Sequence, residues 1–135
     1  MATLTEKAME LFNDMNASKA IATADAAGEL NLGPKSSLAA VDPQTLAFAD
    51  IFGSQTRENL ESTKKTSVIA FKNAPPFPGW RVKGTFQGFQ TSGPVFEGFA
   101  RQMKKALNLD IRAVGIISVD EVFNLTPGKA GKRAA

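Results

Sequence analysis

Apolar residues in this chain recur with two different spacings, one typical of helices and one typical of strands. Between residues 4 and 16 they lie three and four positions apart, which predicts an amphipathic helix that begins at a capping box formed by Thr3 and Glu6. A second helix is predicted at residues 55–65, and a third begins at Pro94 in the segment SGPVFEGFARQMKKALN.

The remaining apolar stretches are short and predict six strands. They lie in the segments KAIATADAAGELNLGPKSSLAAV (two strands with a turn at residues 25–29), QTLAFAD, TSVIAFK, WRVKGTFQGFQT and IRAVGIISVDEVFNL. Gly84 and Gly88 predict bends or bulges in the fifth strand, and the sixth is expected to break near Asp120. Most strands follow one another without a helix between them, which favours a mainly β, antiparallel barrel with about three short helices.

The amino-acid composition narrows the chemistry that the chain can perform. Its 135 residues suit one domain, and they include no Cys, His or Tyr. Thiolate nucleophiles, imidazole-based triads and metal or heme ligation by His or Cys of this chain are therefore excluded. No catalytic side chain and no metal site is predicted, so redox chemistry would depend on a bound cofactor.

The sequence predicts one folded domain followed by a short tail. Residues 1–125 are predicted to form the domain, and residues 126–135, TPGKAGKRAA, a flexible basic tail that carries some of the net charge of +3. The first residues do not resemble a signal peptide, and no apolar run is long enough to span a bilayer. A cytoplasmic protein without membrane contact is expected.

The segment ADIFGSQTRENL predicts a strand, a tight turn at Gly53 and a helix start. Ser54 and Thr56 can cap the helix, but Arg57 occupies a first-turn position where an acidic residue is normally favoured. Two interpretations are open. The segment is either an ordinary capped surface helix with a solvated arginine or a phosphate-binding helix start.

Four segments in order, IATADAAGELNLGPKSSL, LAFADIFGSQTRENL, SVIAF and GWRVKGTFQGFQTSGPVFE, resemble the FMN-binding split-barrel family related to pyridoxamine 5'-phosphate oxidase over residues 18–120. The small single-domain FMN-binding proteins of that family are the most similar. The resemblance implies a six-stranded antiparallel split β-barrel of Greek-key type. It also implies a homodimer with one FMN in each of two grooves at the subunit interface.

In this family the FMN phosphate is held by the second strand and by the turn and helix start after the third strand. Carried over by position, the cofactor-binding residues are Lys35, Ser36, Ser37, Ser54, Gln55, Thr56 and Asn59. The phosphate would then supply the negative charge that the first turn of this helix lacks, and Arg57 would be tolerated there. Trp80 is assigned to the wall of the flavin groove or to the dimer interface, with core packing as the alternative.

Two departures from the family pattern limit what the resemblance implies. Gln55 stands where many relatives have a basic residue, so Lys35 and Arg57 would have to supply the positive charge. Lys35 follows Pro34, and this pair can also simply discourage edge pairing of a strand. The C-terminal substrate segment of pyridoxamine phosphate oxidases, which bears Arg and His, has no counterpart here, and vitamin B6 chemistry is not expected.

The function predicted from these observations is an FMN-dependent oxidoreductase of unassigned substrate, with NAD(P)H or a redox protein as electron donor. An FMN-binding electron carrier or flavin store without its own substrate is the alternative. A basic barrel that binds single-stranded nucleic acid ranks below both, because only GWRVKGTF alternates aromatic and basic residues.

Overall fold

A computed structural model of the chain describes residues 2–129 and 131–135. The helices are α1 (Glu6–Phe12), α2 (Gln55–Thr63) and α3 (Pro94–Leu107). The strands are β1 (Ser18–Ala24), β2 (Leu30–Pro34), β3 (Ala39–Asp42), β4 (Thr45–Asp50), β5 (Lys65–Phe71), β6 (Gly79–Gln90), β7 (Ala113–Asn124) and β8 (Lys132–Arg133).

All eight strands belong to one antiparallel sheet in the order β2-β1-β5-β6-β7-β4-β3, and β8 pairs with β7. The mainly β split-barrel fold with three helices is confirmed, but the strand count of six is wrong. The predicted second strand is divided into β2 and β3 by a turn after Pro34, in which the N–H of Leu38 donates to the carbonyl of Lys35 at 3.1 Å. Pro34 has no N–H to donate, which favours the end of pairing at this point.

The core lies inside the curled sheet, on the face to which alternate residues of each strand point. Ile21 of β1, Phe48 of β4 and Val82 of β6 are almost fully buried in one cluster. Strands from both halves of the sheet order thus share this cluster. Helix α1 contributes Phe12 to it and packs against β3, β5 and β6. A second cluster lies between α3 and strands β4 and β7.

Helix α1 is shorter than the predicted helix. It begins after Thr5, whose Oγ1 accepts from the N–H of Ala8 at 3.2 Å, so the predicted capping box at Thr3 is wrong. The helix ends before Asn13, whose side chain both accepts from and donates to the backbone of Ala40, at 2.8 and 3.2 Å. These two bonds tie the end of α1 to β3.

The predicted irregularities in β6 are confirmed. The pairing of β6 with β7 shifts register between Lys83 and Gly84 and again between Phe86 and Gly88. A side chain at Gly84 would overlap Ile117 and the carbonyl oxygen of Ser118, so the backbones approach closely there. Asp120 lies in the register shift opposite Gly84, and β7 continues past it without a break.

The last residues differ from the predicted flexible tail. Lys132 and Arg133 form β8, and the N–H of Ala134 donates to the carbonyl of Val122 at 2.7 Å. Backbone hydrogen bonds hold this segment against β7, and composition does not reveal such bonds. Residues 1 and 130, which belong to the predicted domain and tail, lie outside the described residues.

None of the helices in the described part of the chain has the length and apolar character needed to cross a membrane.

Candidate functional site

The β2–β3 turn, the loop after β4 and the C-terminal half of α3 enclose a groove of about 230 Å³, named the Lys35 groove. Four of the predicted site residues line it, namely Lys35, Ser36, Ser37 and Ser54. Met103 and Leu107 of α3 form an apolar wall, and Phe52, which is 79% exposed, lies at the edge. Pockets for whole small ligands usually measure about 300–1,000 Å³, so this groove is the size of a site that holds one part of a ligand.

The sequence predicted Lys35 on the second strand, but the residue lies in the turn between β2 and β3. Its backbone N–H donates to the carbonyl of Lys19 at 3.0 Å, and its ammonium lies 5.3 Å from the ring centroid of Phe48. Burial lowers the pKa of Lys35, while the negative charge of Asp50 acts in the opposite direction. A partly desolvated cation binds an anion more strongly than a fully hydrated one, because the local dielectric constant is lower.

The two serines of the turn have different roles. The Oγ of Ser37 accepts from the N–H of Ala49 at 2.9 Å, which fastens the turn to β4. Ser36 is exposed, and its hydroxyl has no hydrogen-bond partner among residues 2–129 and 131–135. Ser36 is therefore the serine whose hydroxyl is available to a ligand.

The start of α2 lies at the other side of this groove. Ser54 is the N-cap residue, but its side chain makes no capping hydrogen bond within the described chain. The N–H groups of residues 55–57 have no intrahelical acceptor at a helix start, and the helix dipole places partial positive charge there. This end of α2 therefore offers donors to an anion.

Arg57 is neutralised by carboxylates of the chain itself. Its guanidinium forms an ion pair with the buried carboxylate of Asp50 and lies 3.4 Å from that of Glu61. The other oxygen of Asp50 accepts from the N–H of Gly53 at 2.9 Å, and the guanidinium lies over the ring of Phe89 at 4.1 Å. Asp50 and Glu61 therefore already supply negative charge beside Arg57, and a phosphate at this helix start stays a prediction.

Gln55, Thr56 and Asn59 do not line the Lys35 groove. The Oγ1 of Thr56 accepts from the amide of Asn31 at 3.0 Å, and the amide of Asn59 donates to Thr23 Oγ1 at 3.1 Å. The amide of Gln55 donates to Asn59 Oδ1 at 2.8 Å. These bonds attach α2 to β1 and β2, so the assignment of the three side chains to a cofactor stays a prediction.

Trp80 also lies apart from the other predicted site residues. It is 7% exposed and belongs to the core cluster, as the packing alternative predicts. Its edge lines a different cavity of about 440 Å³, bounded by α1 and the proline-rich loop before β6. The structure of one chain thus does not bring Trp80 to the Lys35 groove.

Sequence reasoning missed Arg112, which follows α3. Its guanidinium packs so closely against Gly53 that a side chain at Gly53 would overlap it, and it borders Ser54 in a shallow cavity. The backbone N–H of Arg112 donates to the carbonyl of Asp50 at 2.8 Å. Its guanidinium has no hydrogen-bond or ion-pair partner in the described residues. Arg112 thus brings to the start of α2 the basic group that position 55 lacks, and no local motif marks it.

The fold and these side chains define a class of protein: a small antiparallel split barrel with basic and hydroxyl groups gathered where β4 gives way to α2. Residues 4–130 match the model of the pyridoxamine 5'-phosphate oxidase family. The chain belongs to this family.

Solved structures with the same fold come from several bacteria. HupZ of Group A Streptococcus is 31% identical, with a TM-score of 0.80 over 96% of this chain and 99% of that one. An FMN-binding protein from Syntrophomonas wolfei is 21% identical, with a TM-score of 0.82 over 90% and 85% of the two chains. HutZ, a heme storage protein from Vibrio cholerae, is 12% identical, with a TM-score of 0.68 over 95% and 99%. A search of curated proteins finds no match.

Proposed function

We propose that this protein is an FMN-binding flavoprotein that acts as an oxidoreductase. Membership of the pyridoxamine 5'-phosphate oxidase family supports a flavin, and the neighbouring structure from Syntrophomonas wolfei is an FMN-binding protein. The substrate and the electron donor are not fixed by these likenesses, and NAD(P)H or a redox protein is the donor we propose.

The observation that carries the proposal is the convergence of free donors around the start of α2. Lys35 approaches from the β2–β3 turn, Arg112 from the segment after α3, and the uncapped N–H groups from α2 itself. A phosphate dianion accepts several charge-assisted hydrogen bonds at once, which suits two cations and a helix start better than it suits a neutral ligand. The exposed ring of Phe52 and the side chain of Leu107 offer apolar surface beside this corner.

Bound FMN would supply hydride or single-electron transfer through its isoalloxazine ring. The chain's own part is to hold and orient the cofactor. Lys35, Arg112 and Ser36 would hold the phosphate, and Met103 and Leu107 would exclude water from one side of the groove. No side chain of the chain is required as a proton carrier, which agrees with the absence of His, Cys and Tyr.

The absence of His, Cys and Tyr also favours flavin over heme as the cofactor. HutZ is a heme storage protein, but His, Cys and Tyr, three of the side chains that hold heme iron from the axial side, do not occur in this chain. The positive corner at α2, by contrast, matches the phosphate of FMN.

We further propose a homodimer with FMN at the interface. Leu30 and Leu32 of β2 are 87% and 73% exposed, although large apolar side chains are usually covered in an assembled protein. They lie opposite Ala24 and Ala22 of β1, so their side chains share one outer face of the sheet with small residues. An exposed apolar patch of this kind suits contact with a second copy of the chain.

The decisive experiment is a titration of the purified protein with FMN and with riboflavin, which lacks the phosphate. We expect FMN to bind at least tenfold more tightly, with quenching of its fluorescence and a shift of its visible absorbance. Equal binding of the two ligands, or no binding of either, would overturn the proposal.

Reduction without air then separates the two kinds of flavoprotein. Bleaching of the oxidised absorbance by NADH or NADPH supports an oxidoreductase with a nicotinamide donor. If only a protein reductant bleaches the flavin, the protein is an electron carrier or flavin store.

A further inference from the structure

A second groove of about 320 Å³ continues from the Lys35 groove along α3. The two share Ser36, Ser37, Met103 and Leu107, so they adjoin along the same helix. The second groove ends at Lys19 of β1 and is named the Lys19 groove. The cofactor assignments made above use residues of the shared wall but neither Lys19 nor Gln102.

Lys19 is a buried residue whose ammonium has no partner among the described residues. The residue is 8% exposed, and its ammonium makes no hydrogen bond or ion pair with any of residues 2–129 and 131–135. The nearby carboxylate of Asp14 is paired with Lys72 instead. Burial lowers the pKa of Lys19, and the charge of Asp14 opposes that shift. The ammonium is open towards the groove, because it is not among the fully buried polar atoms without a partner. A partly desolvated cation of this kind is well suited to pair with an anion.

Two further polar side chains of the same groove are available. Gln102 of α3 and Ser36 of the β2–β3 turn have no side-chain hydrogen bond within the described residues. The walls between them are apolar: Met103 is buried, whereas Leu107 and Met15 are 56% and 76% exposed. The groove thus combines one cation and two neutral donors with an apolar surface.

We propose that the Lys19 groove binds a small organic acid, with the carboxylate paired to the ammonium of Lys19 and the apolar body against Met103 and Leu107. Gln102 donates to the same carboxylate, and Ser36 remains with the proposed FMN phosphate site. One lysine with one neutral donor balances a monoanion, whereas a phosphate dianion needs more positive charge. The site lies beside the proposed FMN phosphate site and does not depend on FMN being the cofactor.

The test compares benzoate with benzamide, which has the same shape without the charge. Each is titrated calorimetrically into the full chain as purified. We expect benzoate to bind at least tenfold more tightly than benzamide, and Lys19→Met to abolish this preference while keeping the length of the side chain. Lys105→Met is the matched control, because Lys105 is an exposed lysine of α3 outside the groove, and it should keep the preference.

Gln102→Ala gives an independent test at an exposed position that folding does not require. It should weaken benzoate severalfold and leave benzamide unchanged. Equal affinities of the wild-type protein for the two probes would overturn the proposal, as would a charge preference that survives in Lys19→Met. Failure of FMN to bind in a separate titration would contradict the proposed function and leave this result standing.

Discussion

The guanidinium of Arg57, in the first turn of α2, forms an ion pair with the carboxylate of Asp50, the last residue of β4. The side chain of Asp50 is 6% exposed and that of Arg57 27%, so the pair is largely shielded from water. Asp50 also accepts from the N–H of Gly53, which shapes the loop between strand and helix. The pair fixes the corner at which the proposed ligand binds, and leaves Lys35 and Arg112 to attract the ligand.

Replacing the carboxylate of this pair should destabilise the fold. Asp50→Asn leaves the guanidinium with only the more distant Glu61, and we expect a loss of about 2 kcal/mol in the free energy of unfolding. Urea denaturation measures the loss. Asp120→Asn removes an exposed carboxylate that accepts from Thr85, and should change stability by less than about 0.5 kcal/mol. Equal effects of the two substitutions would contradict the structural role of Asp50.

The two unpaired cations near α2 should govern affinity for the phosphate. Lys35→Met and Arg112→Gln each remove one charge-assisted contact, and each should weaken FMN binding by about 1.5–3 kcal/mol while leaving riboflavin unchanged. Fluorescence titration with both ligands measures the difference. Lys7→Met, at an exposed position of α1 outside the groove, is the control and should bind FMN like the wild type. A parallel loss of riboflavin binding would show that the substitutions disturb the groove rather than the phosphate contact.

The order of strands and helices could be predicted from the sequence because apolar spacing reports directly on burial. The bulge at Gly84 was predictable because a glycine inside a strand pattern often marks a bulge. The sequence did not predict that β2 and β3 are separate strands. The alanines at the start of β3, Ala39 and Ala40, fit one long strand as well as they fit two short ones. The tail was misjudged because Ala134 and Ala135 bind β7 through backbone groups, which composition does not reveal.

The candidate site was predictable only where it is local in sequence. Lys35 and Ser54 come from motifs that the resemblance aligns, and the structure brings both to one groove. Arg112 reaches the same corner from beyond α3, and a contact over such a separation leaves no spacing pattern. Thr56 fits the sequence motif but does not line the groove, because its hydroxyl accepts a hydrogen bond from Asn31.

The exposed leucines of β2 should control self-association. Leu32→Glu places a charge in the middle of the outer apolar face, and burial of an unpaired charge at an interface opposes dimer formation. We expect the wild type to sediment as a dimer and Leu32→Glu as a monomer with an unchanged circular dichroism spectrum. Val41→Glu changes an exposed apolar residue of β3 outside this face, and should remain dimeric. A monomeric wild type would contradict the proposed interface.

Stability should depend on pH through Lys19. Because burial lowers the pKa of Lys19 in the folded chain, the unfolded chain binds more protons between that lowered pKa and the ordinary lysine value. The stability contributed by this group therefore rises with pH across that interval, and below it the charged side chain carries its full burial cost. Lys19→Met removes the cost, so we expect the variant to be more stable at pH 7 and its advantage to shrink towards pH 10.5. Urea denaturation of the wild type and the variant at several pH values checks this. The titration of the other lysines contributes equally to both proteins and cancels in the difference. An advantage that grows with pH would contradict the assignment.

Two glycines should respond in opposite directions to the same substitution. A Cβ at Gly84 would overlap Ile117 and the carbonyl oxygen of Ser118, and the backbone at the bulge cannot retreat without breaking the pairing of β6 with β7. We expect Gly84→Ala to cost about 2 kcal/mol or more of the free energy of unfolding. Gly98 lies within α3, and a Cβ there meets no atom within 4 Å among the described residues. Since alanine favours a helix over glycine, Gly98→Ala should stabilise the chain by about 0.5–1 kcal/mol. Thermal and urea denaturation of both variants test the pair, and a neutral Gly84→Ala would show that the two strands lie farther apart than the structure has them.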